Sequence, residues 1–280
     1  MHQFAKRLFA LAAPLLLTGC LWGPGKFTSD LTLKKDGSFV LDYRGEIVLQ
    51  TPPDMAEAQA WKDEMARCFV GIDGRSVPQG VIAEPGEPPK ERPCTRAEIA
   101  AQKAEHAEKA VAKRKENEQM AKIFGLPGLD DESNRAFAAK LSKYAGYRSV
   151  QYRGKGVFDV DYHLEGRATQ DFVFPTLPDN DFLIPFVAIR RRADGSVLVT
   201  APAFTGGAGP FGARAGSAAA RGMKDGPVSK AQGRFTIVTD GEILTNNSED
   251  GPAAHPAGRQ VHWDVTATSQ KIPEALIRLR

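Results

Sequence analysis

The sequence is short of the signatures by which most enzymes and metal proteins announce themselves. Only three cysteines occur in 280 residues, and none stands in a CxxC or Cys/His spacing, so nothing in the pattern suggests zinc. No HExxH and no GxSxG is present, which removes the usual zincin and serine-hydrolase readings. Charge is nearly balanced: the net is +3, and about +1 without Lys6 and Arg7 near the start, which does not suggest nucleic acid as a partner. After residue 17 no apolar run is long enough for a transmembrane helix.

The one concentrated apolar run lies at the start. Lys6 and Arg7 precede Leu8 to Leu17, and the run ends at Thr18-Gly19-Cys20, the layout of a secretory signal over residues 1–19. Ten residues rise only about 15 Å as a helix, roughly half of a ~30 Å hydrocarbon core, so this segment exports rather than spans. Leu17-Thr18-Gly19-Cys20 resembles the lipobox read by lipoprotein signal peptidase. That resemblance implies cleavage before Cys20, a diacylglycerol on its thiol and a further chain on its amine, and two or more chains anchor stably where one does not. Leu21 follows in place of the Asp that favours inner-membrane retention, which points to the outer membrane, facing the periplasm. Cys68 and Cys94 remain as an even pair in an oxidising compartment, where a disulfide is the natural reading; the alternative is a buried free Cys68 on a helix face with Cys94 exposed.

Beyond the signal the pattern predicts an α+β domain over 20–204, a flexible Gly/Ala-rich loop over 205–233 and strands over 234–280 that complete the sheet. Residues 27–49 read as two strands joined by Lys35-Asp36-Gly37, an Asp-Gly hairpin turn. Met55, Ala58, Trp61, Met65, Cys68 and Phe69 recur near helical spacing, which predicts an amphipathic helix over 52–69. The proline-rich stretch 70–94 reads as loop. Thr95-Arg96-Ala97-Glu98 is a capping box opening a long charged helix over 95–124, and a further helix is expected over 131–144. Strands are expected at 147–153, 156–166, 170–174, 182–192 and 196–203, the last two turning at Asp194-Gly195, then at 234–239, 242–246, 260–266 and 274–279.

Three features invite a chemical reading. Asp159, Asp161, His163 and Glu165 alternate with apolar residues, so a strand here lines four potential metal ligands on one face, although any half-buried strand shows a polar face. Gly207 to Gly212 spells GxGxxG but lacks the βαβ context of a dinucleotide site. His262, beside Trp263, reads as a packed side chain. The expectation is therefore no catalytic residue, no metal and no cofactor.

The Lys35-Asp36-Gly37-Ser38-Phe39-Val40 hairpin, with Arg234 to Asn247 and the strand Gln260-Val261-His262-Trp263-Asp264-Val265, resembles the LppM-like lipoproteins. The resemblance implies a β-rich domain with packed helices and no assigned enzymatic site. The long charged helix and the Gly/Ala tract depart from that pattern. The functional expectation is a membrane-anchored, non-enzymatic interaction or assembly module, with a protein partner on helix 95–124. Its alternatives are an apolar-ligand binder with a groove lined by Trp61, Met65, Phe137, Leu141, Val160 and Tyr162, and a hydrolytic enzyme built around Asp161 and His163.

Overall fold

The computed structural model describes residues 22–49, 59–70, 76–77, 90–123, 127–128, 130–177, 184–205 and 231–279. Cys20 and the signal lie outside them, as do the GxGxxG run and nearly all of the 205–233 tract. The chain is α+β and divides by its contacts into two units, residues 1–54 with 121–280, and residues 55–120.

In the first unit, β1 (Trp22–Leu33) and β2 (Ser38–Leu49) form the expected hairpin, and the reason is local. Asp36 Oδ1 accepts hydrogen bonds from Ser38 N at 2.9 Å and Ser38 Oγ at 2.6 Å, while Gly37 takes φ +83°, where a side chain would be strained. The same Asp-Gly-Ser turn recurs between β9 (Val187–Arg191) and β10 (Ser196–Thr200), with Asp194 Oδ1 accepting from Ser196 N at 2.9 Å and Oγ at 2.6 Å. Each pair of bonds favours the ionised carboxyl and holds it below its ordinary range.

A seven-stranded sheet runs in the order β13 (Ala253–His255), β14 (Gly258–Val265), β11 (Gln232–Thr239), β1, β2, β7 (Val157–Arg167) and β6 (Tyr147–Gly154). Its pairings are antiparallel with one exception: β11 lies parallel to β1, Lys26 opposite Gln232 through Leu33 opposite Thr239. A five-stranded sheet runs β12 (Glu242–Asn246), β15 (Glu274–Arg278), β10, β9 and β8 (Phe172–Phe174). The C-terminal strands therefore serve two sheets: β11 and β14 extend the first, β12 and β15 the second.

Alternation puts Leu31, Leu33, Phe39, Leu41, Tyr43 and Phe235 on one buried face of the larger sheet. Rings on or next to the second sheet meet that face: Phe174 lies 5.0 Å from Tyr43 and 4.4 Å from Tyr162, and Phe204 lies 4.1 Å from Phe27. Two glycines make room for Phe27, because Gly45 and Gly233 stand opposite it on the two flanking strands. A Cβ at Gly45 would fall 2.5 Å from Phe27 Cα, and one at Gly233 would run into the Phe27 carbonyl. Helix α2 (Asp131–Leu141), capped by Asp130 accepting from Ser133 N at 2.8 Å, sets Phe137 against Trp22 and Phe158 at 5.5 and 5.8 Å. It stops three residues short of the expected end.

The second unit is built differently. The helix expected over 52–69 does not form across the described residues 59–69. A 3-10 turn at Asp63–Met65 leads into β3 (Cys68–Val70), which pairs with both β4 (Ser76–Val77) and β5 (Lys90–Arg92). Cys-Phe-Val is a poor helical triplet and a good strand one, and two partner strands settle the choice. Helix α1 (Arg96–Ile123) begins at the Thr95–Glu98 capping box, with Glu98 Oε2 accepting from Thr95 N at 2.8 Å and Glu98 N donating to Thr95 Oγ1 at 3.3 Å. Arg92 also binds Glu98, donating from Nη1 at 2.9 Å. The amide of Gln102 pairs with the backbone of Arg67 in both senses, accepting from its N at 3.1 Å and donating to its O at 3.0 Å.

Arg92 and Thr95 together hold the Glu98 carboxyl down to about 2. A lowered folded-state value means that this contribution to stability is complete above the ordinary carboxylate range and disappears as pH falls through about 2. We expect the Glu98 carboxyl carbon to titrate near pH 2 by NMR. Glu98→Gln should remove this component of acid sensitivity, and an ordinary titration near pH 4.5 in the wild type would contradict the geometry.

Candidate functional site

The cysteine pair forms a disulfide, with an S–S distance of 2.12 Å and a Cα–Cα distance of 5.3 Å. It joins the first residue of β3 to the residue just before the helix cap, so it fastens the start of α1 to the small sheet. The alternative, a free Cys68 on a helix face, fails twice: Cys68 is in a strand and it is bonded.

The row Asp159, Asp161, His163 and Glu165 does lie along one face of β7. Neighbouring strands engage it in ion pairs. Asp159 accepts from Arg153 at 2.8 Å, and Asp161 lies 3.8 Å from Arg44 Nε. His163 Nδ1 is 2.8 Å from Asp42 Oδ1, and its Nε2 is 3.5 Å from Glu165. Both imidazole nitrogens are thus occupied by carboxylates. Among the described residues no group of three or more His, Cys, Asp or Glu converges as a metal site. Nor is any described helix long and apolar enough to cross a membrane.

The residues expected to line a groove divide between the units. Phe137, Leu141, Val160 and Tyr162 are core of the first unit, none more than 8 % exposed. Trp61 and Met65 belong to the second, where Trp61 donates to Asp63 at 3.0 Å and meets the His106 ring edge-on at 5.4 Å.

A feature the sequence did not signal is a cleft of about 450 Å³ in the first unit. Phe204, Trp263 and Val265 line it from the core side; Glu249, Asp250, Asp264 and Lys271 supply charge, His262 an imidazole, and Thr266, Thr268 and Ser269 hydroxyls. One side chain organises it. Asn247 Oδ1 accepts from Trp263 Nε1 at 2.9 Å and from Glu274 N at 3.0 Å, while its Nδ2 donates to Ile272 O at 2.7 Å. Asn247 therefore ties the loop after β12 to β14 and to the start of β15. His262, expected as a packed side chain, is partly buried and lies 3.3 Å from Asp250. Arg234 hydrogen-bonds Asp264 and holds its carboxyl below the usual range. Asp250 pairs with His262 and Asp264 with Arg234, and the aromatic rings beneath them are buried. The arrangement offers hydroxyl and carboxylate hydrogen bonding rather than an activated nucleophile.

No family model matches the chain, and no curated protein matches it.

Proposed function

We propose that this chain is a lipid-anchored protein of the bacterial envelope, held by acyl chains on Cys20 and facing the periplasm from the outer membrane, and that it works as an interaction or assembly module. The LppM-like lipoproteins are the family this reading leans toward. The observation that carries it is the sequence of features at the N-terminus: Lys6 and Arg7, ten apolar residues, the last of them Leu17, then Thr18-Gly19-Cys20. The Cys68–Cys94 disulfide fits the oxidising compartment such a protein enters.

The partner surface is α1. Two ion pairs run along it, Glu105 with Lys109 at 2.6 Å and Glu118 with Arg114 at 3.3 Å, and Val111 stands 57 % exposed between them. The groove-binding alternative draws less support, since four of its six residues are closed into the core. The hydrolytic alternative draws less support, since Asp161 and His163 are not paired with each other: His163 faces Asp42 and Glu165, and Asp161 lies 3.8 Å from Arg44.

Replacing the acylated thiol tests the anchor. Intact mass of the mature wild-type protein should show acyl chains, and the protein should sediment with membranes. Cys20→Ser should be unacylated and either stall as precursor or leave the membrane fraction. A mature wild-type chain with no acyl mass would overturn the proposal.

A further inference from the structure

The position of β1 relative to Cys20 says which end of the first unit meets the bilayer. Resting on the lipid anchor proposed above, we infer that the first unit stands on the membrane by the end of its larger sheet where β1 begins, with the β6–β7 turn and Lys155 at the level of anionic lipid headgroups.

Reach sets the first constraint. Trp22 is already in β1, so only Leu21 separates the acylated residue from the folded sheet. At no more than about 3.6 Å of advance per residue, two residues put the Cα of Cys20 within about 7 Å of that of Trp22, whatever path the chain takes. The polar layer of one leaflet is itself roughly 5–8 Å thick. The start of β1 is therefore held at or just above the headgroups.

Register carries that constraint sideways. Trp22 pairs with Leu49 on β2, Leu49 N donates to Gly156 O at 2.7 Å, and Gly156 belongs to the turn joining β6 to β7. Two strand spacings of about 4.8 Å place this turn about 10 Å from the start of β1, at the same level. Gly154, Lys155 and Gly156 all have positive φ, +93°, +52° and +73°, which makes the turn tight. Lys155 is exposed at its tip, with no ion pair among the described residues. The Lys34–Gly37 turn stands at the other end of β1, roughly 40 Å away at about 3.3 Å per residue.

The remaining question is whether the unit stands or lies flat, and charge decides it. The buried face of the larger sheet is covered by the second sheet, so lying flat would bring down the outer face. By alternation that face carries Asp30, Asp42, Glu46, Asp159, Asp161, Glu165 and Asp264 against Lys26, Arg44, Arg153, Arg167 and Arg234. An excess of carboxylates is repelled by an anionic surface, whereas a lone lysine at the tip is drawn to it.

The test uses the acylated full-length protein in vesicles of phosphatidylethanolamine and phosphatidylglycerol doped with a headgroup nitroxide lipid. With Cys20 blocked by its lipid and Cys68 bonded to Cys94, the cysteine of Lys155→Cys, Lys35→Cys or Asp30→Cys is the sole site for a thiol fluorophore. The Lys155→Cys probe should lose most of its fluorescence to the nitroxide, and the Lys35→Cys probe should keep its own. Equal quenching at the two ends would overturn the inference, and strongest quenching at Asp30→Cys would show a unit lying flat. Flotation and intact mass of the same samples separate the two failures. Acylated, vesicle-bound protein with an unquenched Lys155→Cys probe refutes the orientation alone, while protein without acyl chains removes the anchor and the orientation with it.

Discussion

Reducing the Cys68–Cys94 bridge should unfold the second unit and leave the first intact. Among the described side chains of the second unit, Cys68 is the only buried one, so the described part of this unit has little apolar core to hold it. Its order rests instead on the bridge, the capping box with Arg92, and the Gln102 amide on the backbone of Arg67. A small unit without a sizeable core depends on such staples. Closing a loop with a sequence separation of 26 restricts the unfolded chain by about 3.5 kcal/mol in the chain-entropy treatment. That is comparable to all the stability a unit of this kind possesses. Amide hydrogen exchange with and without a reductant reads the result directly: protection across α1 and β3 should collapse on reduction, while β1, β2 and β7 stay protected. Retained protection in α1 would show that its hydrogen bonds suffice alone.

Phe204→Ala should be the most damaging single truncation we can name in the first unit. Its side chain is fully buried, and its ring meets Phe27 at 4.1 Å and Phe235 at 5.5 Å on the larger sheet and Phe186, just before β9, at 6.0 Å. Removing a buried phenyl loses its transfer free energy and leaves a cavity, together about 3–5 kcal/mol. Phe204 also lines the cleft, so the new space should open toward solvent beside Trp263 and Asn247. Urea denaturation should show a lower midpoint, with Trp263 fluorescence changing in the native baseline. A loss under about 1 kcal/mol would mean that neighbouring rings collapse into the gap.

What the sequence disclosed depended on how local the cause was. Both Asp-Gly turns were legible because the turn residues and the following Ser supply the hydrogen bonds themselves. The disulfide was legible by counting, once Cys20 was set aside for a lipid. The helix expected over 52–69 failed because Met, Trp, Cys and Phe at helical spacing say only that a segment is apolar at intervals. The pairing of Phe69 with Glu91 and Val77 decides that it is strand, and no window along the chain contains those partners. The parallel register of β1 with β11 was hidden for the same reason, since roughly 200 residues separate the strands. The cleft draws on Phe204, on residues near 247–250 and on 262–273, so no motif could have announced it. Asn247 was visible only as one of two adjacent asparagines; nothing nearby in sequence shows that it holds an indole.

The parallel pairing of β1 with β11 also orders events in time. The first strand of the described fold sits between β2 and β11, and its hairpin partner is made early, but its other edge waits for residues 232–239. Until those residues arrive, Lys26 to Leu33 present an open row of backbone donors and acceptors of the kind that recruits a stranger's strand. A chain cut short anywhere before residue 232 is therefore an adhesive half-sheet rather than a smaller version of the protein. For a molecule assembled from its N-terminus onward, the hazardous interval ends only when the last quarter of the sequence is delivered.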